Sequence, residues 1–127
     1  MKLTERGWGG HFIGAPECLF RRNTLIEHEE TKIVVSTVGL YRIGTMIERL
    51  GLNRYYETMA FYSDLNDTRY YDANVAQQID FDSPWTIDIL DADDIANEMH
   101  DTVVWELTER LRLGELKETH VNQAAKV

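Results

Sequence analysis

One apolar stripe at helical spacing constrains this chain more than any other feature. Ile95, Ala96, Met99, Val103, Leu107 and Leu111 fall on one side of a helix at about 100° per residue. The helix is predicted from about Asp91 to Leu113. Asp91 stands at its N-cap, Asp93 and Asp94 lie in its first turn, and Gly114 stops it. A single amphipathic helix cannot bury its own stripe, so the rest of the chain must supply an apolar face. What precedes the helix is rich in β-branched and aromatic residues, so that face is a sheet.

Two strand-forming runs lie close together. Cys18 to Ile26 and Lys32 to Val38 flank the polar connector His28-Glu29-Glu30-Thr31, and an antiparallel hairpin follows. Arg54 to Tyr62 reads as a strand with aromatic residues on both faces, and Ser63 to Asp67 as a turn. Short strands are expected around Arg69-Tyr70-Tyr71 and Gln77 to Phe81, with Asp82-Ser83-Pro84 ending the second. Thr45 to Leu50 is expected to form a short helix ending at Gly51. The expected class is α+β: an antiparallel sheet of about four or five strands, with one long C-terminal helix packed on a face. A single domain is expected over 1–127, with a Gly-rich loop region at 1–17 and a frayed tail at 115–127.

Charge is segregated along the chain. Residues 80–109 hold ten acidic side chains and no Lys or Arg, and the whole chain has a net charge of −9. Such a surface repels phosphate and attracts basic surfaces. The predicted helix places Asp94, Glu98, Asp101 and Glu109 opposite the apolar stripe, with Trp105 among them. A large aromatic ringed by charge has the composition of an interface anchor. The bland alternative is a Trp105 covered by the chain's own tail or by the loop at Trp85. His100 falls at the edge of the stripe, where a satisfied core histidine is the ordinary outcome.

Other residues point less strongly to chemistry. Trp8, His11 and Arg22 are candidate lining for a ligand pocket under the Gly-rich loop. Arg22 is a candidate to join Arg42 or Arg54 around a phosphate or carboxylate, and intramolecular ion pairing is the bland reading. Cys18 with His11 or His28 is a conceivable nucleophilic pair, but a lone strand-start Cys more often packs as a small hydrophobe. The aspartates from Asp80 to Asp94 lack the glycine and alternate ligands of a calcium loop, and the histidines lack zinc spacing. No catalytic residue, cofactor or metal is therefore expected. The lone Cys18 and the absence of a long apolar run suggest a cytoplasmic chain with no membrane partner.

Trp8-Gly9-Gly10-His11-Phe12-Ile13, Cys18 to Leu25, Ile33 to Gly39, Tyr56 to Phe61 and Phe81 to Trp85 together resemble a family of small proteins of bacteria and their mobile elements. That family carries no biochemical role to transfer. The resemblance implies an accessory protein that acts by binding host machinery. The expected function is thus a non-enzymatic acidic protein that occupies the basic surface of a host protein. Its sharpest form is a phage or plasmid inhibitor of nucleic-acid-binding machinery, of the anti-CRISPR or anti-restriction type, that does not itself bind nucleic acid. The competing expectations are a small enzyme or ligand-binding domain, and a homodimer joined through an exposed strand Tyr55–Tyr62.

Overall fold

A computed structural model of the chain describes residues 1–6, 10–11, 14–63 and 73–116. Among the described residues seven strands, more than the four or five expected and all antiparallel to their neighbours, form one sheet, and one long helix follows them. The strands are β1 (Lys2–Glu5), β2 (Cys18–His28), β3 (Thr31–Ile43), β4 (Met46–Glu48), β5 (Tyr56–Ser63), β6 (Ala73–Ile79) and β7 (Thr86–Ile87), and the helix is α1 (Asp93–Arg112). The fold is α+β, as the periodicities require.

The sheet is only five strands wide, in the order β1-β2-β3-β5-β6. The other two strands are short segments that extend existing rows. β4 continues β5 along β3, pairing Tyr41 with Glu48, and β7 continues β6 along β5, pairing Tyr56 with Ile87. The segment expected to be a short helix at Thr45 to Leu50 is therefore strand. Gly44, at φ +63°, turns β3 back on itself, and pairing with β3 prevails over the weak helical tendency of so short a piece. β1 was not anticipated; its register on β2 runs from Lys2 opposite Glu27 to Glu5 opposite Thr24. The expected strand at Arg69-Tyr70-Tyr71, the turn after Ser63 and the chain beyond Leu116 lie outside the described residues.

The β2–β3 hairpin carries the core. Its turn needs only Glu29 and Glu30, with Glu29 at φ +55°. Registers fix what each face presents. One face carries Phe20, Arg22, Thr24 and Ile26 of β2, Ile33, Val35 and Thr37 of β3, and Tyr56, Thr58 and Ala60 of β5. Helix α1 covers it. Val103, Val104, Leu107 and Leu111 pack on Ile26, Ile33, Val35 and Ala60, while Ala96 and Met99 pack on Phe20, Leu40 and Tyr56. The opposite face carries Asn23, Leu25, Val34, Ser36, Val38, Glu57, Met59 and Phe61, and Gly10 and His11 lie over part of it. Covered on both sides, β3 is buried at every residue from Ile33 to Leu40.

Three details of the helix differ from expectation. Ile95 is 47% exposed, because the stripe that meets the sheet is centred on Ala96, Val103 and Leu107 and leaves Ile95 at its outer edge. The N-cap is Ala92, not Asp91. Asp91 turns away at φ +52°, and the Tyr56 hydroxyl accepts from the Ala92 N–H while donating to Asp93. Leu116, placed in a tail expected to fray, instead packs in the core beside Leu111.

The Tyr56 ring crosses directly over Gly39, its partner on β3. A Cβ at position 39 would lie 2.2 Å from Tyr56 Cδ2. The ring has no room to retreat, being fully buried with its hydroxyl fixed at both ends. Gly39→Ala is therefore expected to cost about 1–3 kcal/mol through overpacking, read as a lowered urea midpoint. An unchanged midpoint contradicts this packing.

Candidate functional site

Two buried polar chains and one exposed acidic face hold the chemistry of the described residues. The first chain runs beneath α1. His100 is fully buried, with Nε2 2.7 Å from Thr24 Oγ1 and Nδ1 2.7 Å from Thr37 Oγ1. Thr24 donates to Glu5 Oε2 at 2.7 Å, so it accepts from His100 Nε2–H. Nδ1 is then the acceptor of the neutral ring, and Thr37 donates to it while its oxygen accepts a hydrogen bond from the Thr58 hydroxyl at 2.6 Å. The donors point one way from Thr58 to Glu5. Burial, reinforced by the Arg22 charge, pushes the imidazole down to about 4. Burial alone would raise the Glu5 carboxyl, but its bonds from Arg22 and Thr24 hold it below its ordinary value.

The second chain lies on the opposite face. His11 Nδ1 is 2.9 Å from Ser36 Oγ, and Nε2 is 2.9 Å from Glu57 Oε1. Serine, histidine and carboxylate in line are the components of a nucleophilic triad. Their placement denies that use to the geometry observed. Ser36 has no exposed surface, and its Oγ also accepts the His11 backbone N–H at 3.1 Å. The chain fastens the N-terminal segment to β3 and β5. Burial tends to raise the Glu57 carboxyl, but the His11 bond and the charges of His11 and Arg54 hold it low.

The expected pocket residues do not converge. Arg22 faces the helix, where it pairs with Glu5 at 3.1 Å and Asp101 at 2.7 Å, while His11 sits on the far side of the sheet. Arg54 is also on that far side, bonded to Glu57 and placed over the Trp85 ring. Trp8 lies outside the described residues. Nor do Cys18 and His28 meet, since they occupy opposite ends of β2. Burial raises the Cys18 thiol to about 11, so it is no thiolate near neutral pH. Cys18→Ser is expected to leave partner binding unchanged in a pull-down, and loss of binding in a folded variant would contradict its packing role.

The acidic face is assembled as helical geometry requires. Trp105 is 66% exposed, and Asp94, Glu98 and Asp101 are exposed on the same side of α1, with Glu109 half-buried. Two of the four carboxylates are already engaged, Asp101 with Arg22 and Glu109 with Arg112. Charge counted along residues 80–109 cannot reveal this, because Arg22 arrives from β2 and Arg112 lies just past the window. Among the described residues Asp94 and Glu98 form no ion pair. Beside Trp105 the loop after β6 is clamped to α1 by Glu106. Its carboxylate accepts the Asp82 and Ser83 N–H groups at 2.8 Å and the Ser83 hydroxyl at 2.5 Å. An open groove of about 530 Å³ runs there between Phe81, Asp82, Trp105 and Glu109.

Ser36, Glu57, Thr24, Thr37 and Thr58 were not singled out from the sequence. One signal was present: Thr24 and Thr37 interrupt helix-facing rows of apolar residues, and His100 is the polar group opposite them. No comparable signal links His11 to Ser36 and Glu57, which depend on a long-range fold of the N-terminal segment. Comparison of the chain with protein-family models, curated proteins and solved structures found no match.

Proposed function

We propose that this protein binds a partner protein through the solvent face of α1, with Trp105 as the anchor and Asp94 and Glu98 as its electrostatic guide. The observation that carries the proposal is the 66% exposure of Trp105 on a helix whose opposite side is locked into the core. A large aromatic on a rigid element loses little entropy when it is covered, which is why Trp dominates interface energetics. The carboxylates of Asp94 and Glu98, further along the same face and in no ion pair among the described residues, favour a basic surface and disfavour nucleic acid. An inhibitor that imitates nucleic-acid charge is the sharpest form of this function. The closed Ser36–His11–Glu57 chain favours it over an enzyme. The position of β5 inside the sheet between β3 and β6, with Tyr56 and Phe61 buried, favours this reading over a homodimer through Tyr55–Tyr62.

The test is affinity capture from host lysate at low and moderate salt, followed by titration of the captured protein. Trp105→Ala is expected to cost about 2 kcal/mol or more of affinity. Glu98→Lys is expected mainly to slow association and flatten its salt dependence. Asp101 is a poor choice for charge reversal, since it would also strand Arg22. Full affinity in Trp105→Ala, with the fold intact, removes the anchor.

A further inference from the structure

The exposed face of α1 continues past Trp105 to Ile95, ten residues or about 15 Å along the axis. Ile95 is a ridge between two depressions. On one side an apolar groove of about 270 Å³ is lined by the buried Met99 and Ile87 together with Pro84, Thr86 and Glu98. On the other side a cleft of about 340 Å³ lies among Ile89, Asp91, Asp93 and Asp94. Ile95, Ile89 and Leu90 are 47%, 56% and 47% exposed, an unusual grouping of aliphatic side chains at one helix end. From Asp88 to Glu98 the sequence carries five carboxylates and no Lys or Arg. Asp88 is taken by Arg49 and Asp93 by the Tyr56 hydroxyl, while Asp91, Asp94 and Glu98 have no ion pair among the described residues.

From this charge and shape we infer that the groove beside Ile95 receives a segment of the partner protein in which one aliphatic side chain is flanked on both sides by Lys or Arg. The aliphatic group fills the space over Met99 and Ile87. The flanking cations meet Glu98 on one side and Asp91 and Asp94 on the other. Apolar contact supplies affinity and the charges supply register. The inference rests on the proposal that this face of α1 is a partner surface, and it adds what the partner must present there. It also gives exposed Ile95 a use that the Trp105 anchor does not.

Two fluorescent 12-residue peptides test it on the full chain: a Lys/Arg-rich peptide with a central Leu, and the same peptide with Ser in its place. The Leu peptide is expected to bind at least tenfold more tightly, by anisotropy, with amide shifts at Ile87, Ile95 and Met99. Ile95→Ser, at a half-exposed position where the fold tolerates it, is expected to abolish that preference but keep the salt-dependent binding common to both peptides. Equal binding of the two peptides to the unaltered chain overturns the groove and leaves the acidic partner surface standing. A Leu preference that survives in Ile95→Ser also overturns the groove, since the side chain then docks elsewhere. Binding of neither peptide at low salt overturns both the groove and the acidic surface.

Discussion

Val103→Asp is expected to unfold the chain or to cost it several kcal/mol of stability at neutral pH. Val103 has no exposed surface and packs against Ile26, Ile33, Val35 and Ala60. A carboxylate there loses its water, and Arg22, the basic side chain that reaches α1 from β2, is already bound to Glu5 and Asp101. Burying an unpaired charge in a close-packed core costs more than about 4 kcal/mol, or forces the group to protonate at a comparable cost. A domain of this size has about 5–15 kcal/mol of total stability. Far-ultraviolet circular dichroism and a melting curve decide the matter. A cooperative transition at the unaltered temperature would show that α1 does not seal this face.

Stability is expected to fall on the order of 3 kcal/mol between about pH 6.5 and 4 through His100 alone. Its imidazole is held down to about 4 in the fold by burial and by Arg22, against 6.5 when unfolded. The sign follows from where the proton goes first. As pH falls through 6.5 the unfolded chain binds it and the native chain does not, so the native state loses ground until about pH 4. The groups facing His100 are Glu5 from β1, Arg22 from β2 and Asp101 beside it on α1. Below about 4.5 a second loss begins, because Glu5, Glu57 and Glu106 are all held below their ordinary value in the fold. Urea titrations at several pH values read both stages. His100→Gln is expected to be less stable at pH 7.5 but to lack the first stage. Parallel curves for the two chains would place the loss in another group.

Much of this fold was legible because its signals are local. The hairpin followed from two β-branched runs, and α1 followed from a stripe whose spacing no strand shares. The face bearing Asp94, Glu98 and Trp105 came with the helix, since one period sets both sides. What escaped depends on meetings between distant residues. β1 is four residues long and resembles any polar N-terminus until it finds β2. Met46–Glu48 is a strand only because β3 lies alongside. Arg22 and Asp101 are 79 positions apart, so no window of sequence could show that the acidic face is partly neutralised. The aromatic strand Tyr55–Tyr62 is expected to be exposed, but its edges are paired by β3 and β6, and α1 and His11 lie over its two faces.

The helix that completes the core is also the last element of the described chain to leave the ribosome. Val35 and Val103 are 68 positions apart, so synthesis at about 5–20 residues per second separates them by roughly 3–14 s. Throughout that interval the hairpin can pair but Ile26, Ile33, Val35 and Ala60 have no cover. A nascent sheet with a bare aliphatic face is a target for chaperones and a seed for association with its neighbours on the same message. Yield in the cell should therefore depend on how quickly α1 docks after synthesis, more than on the stability of the finished fold.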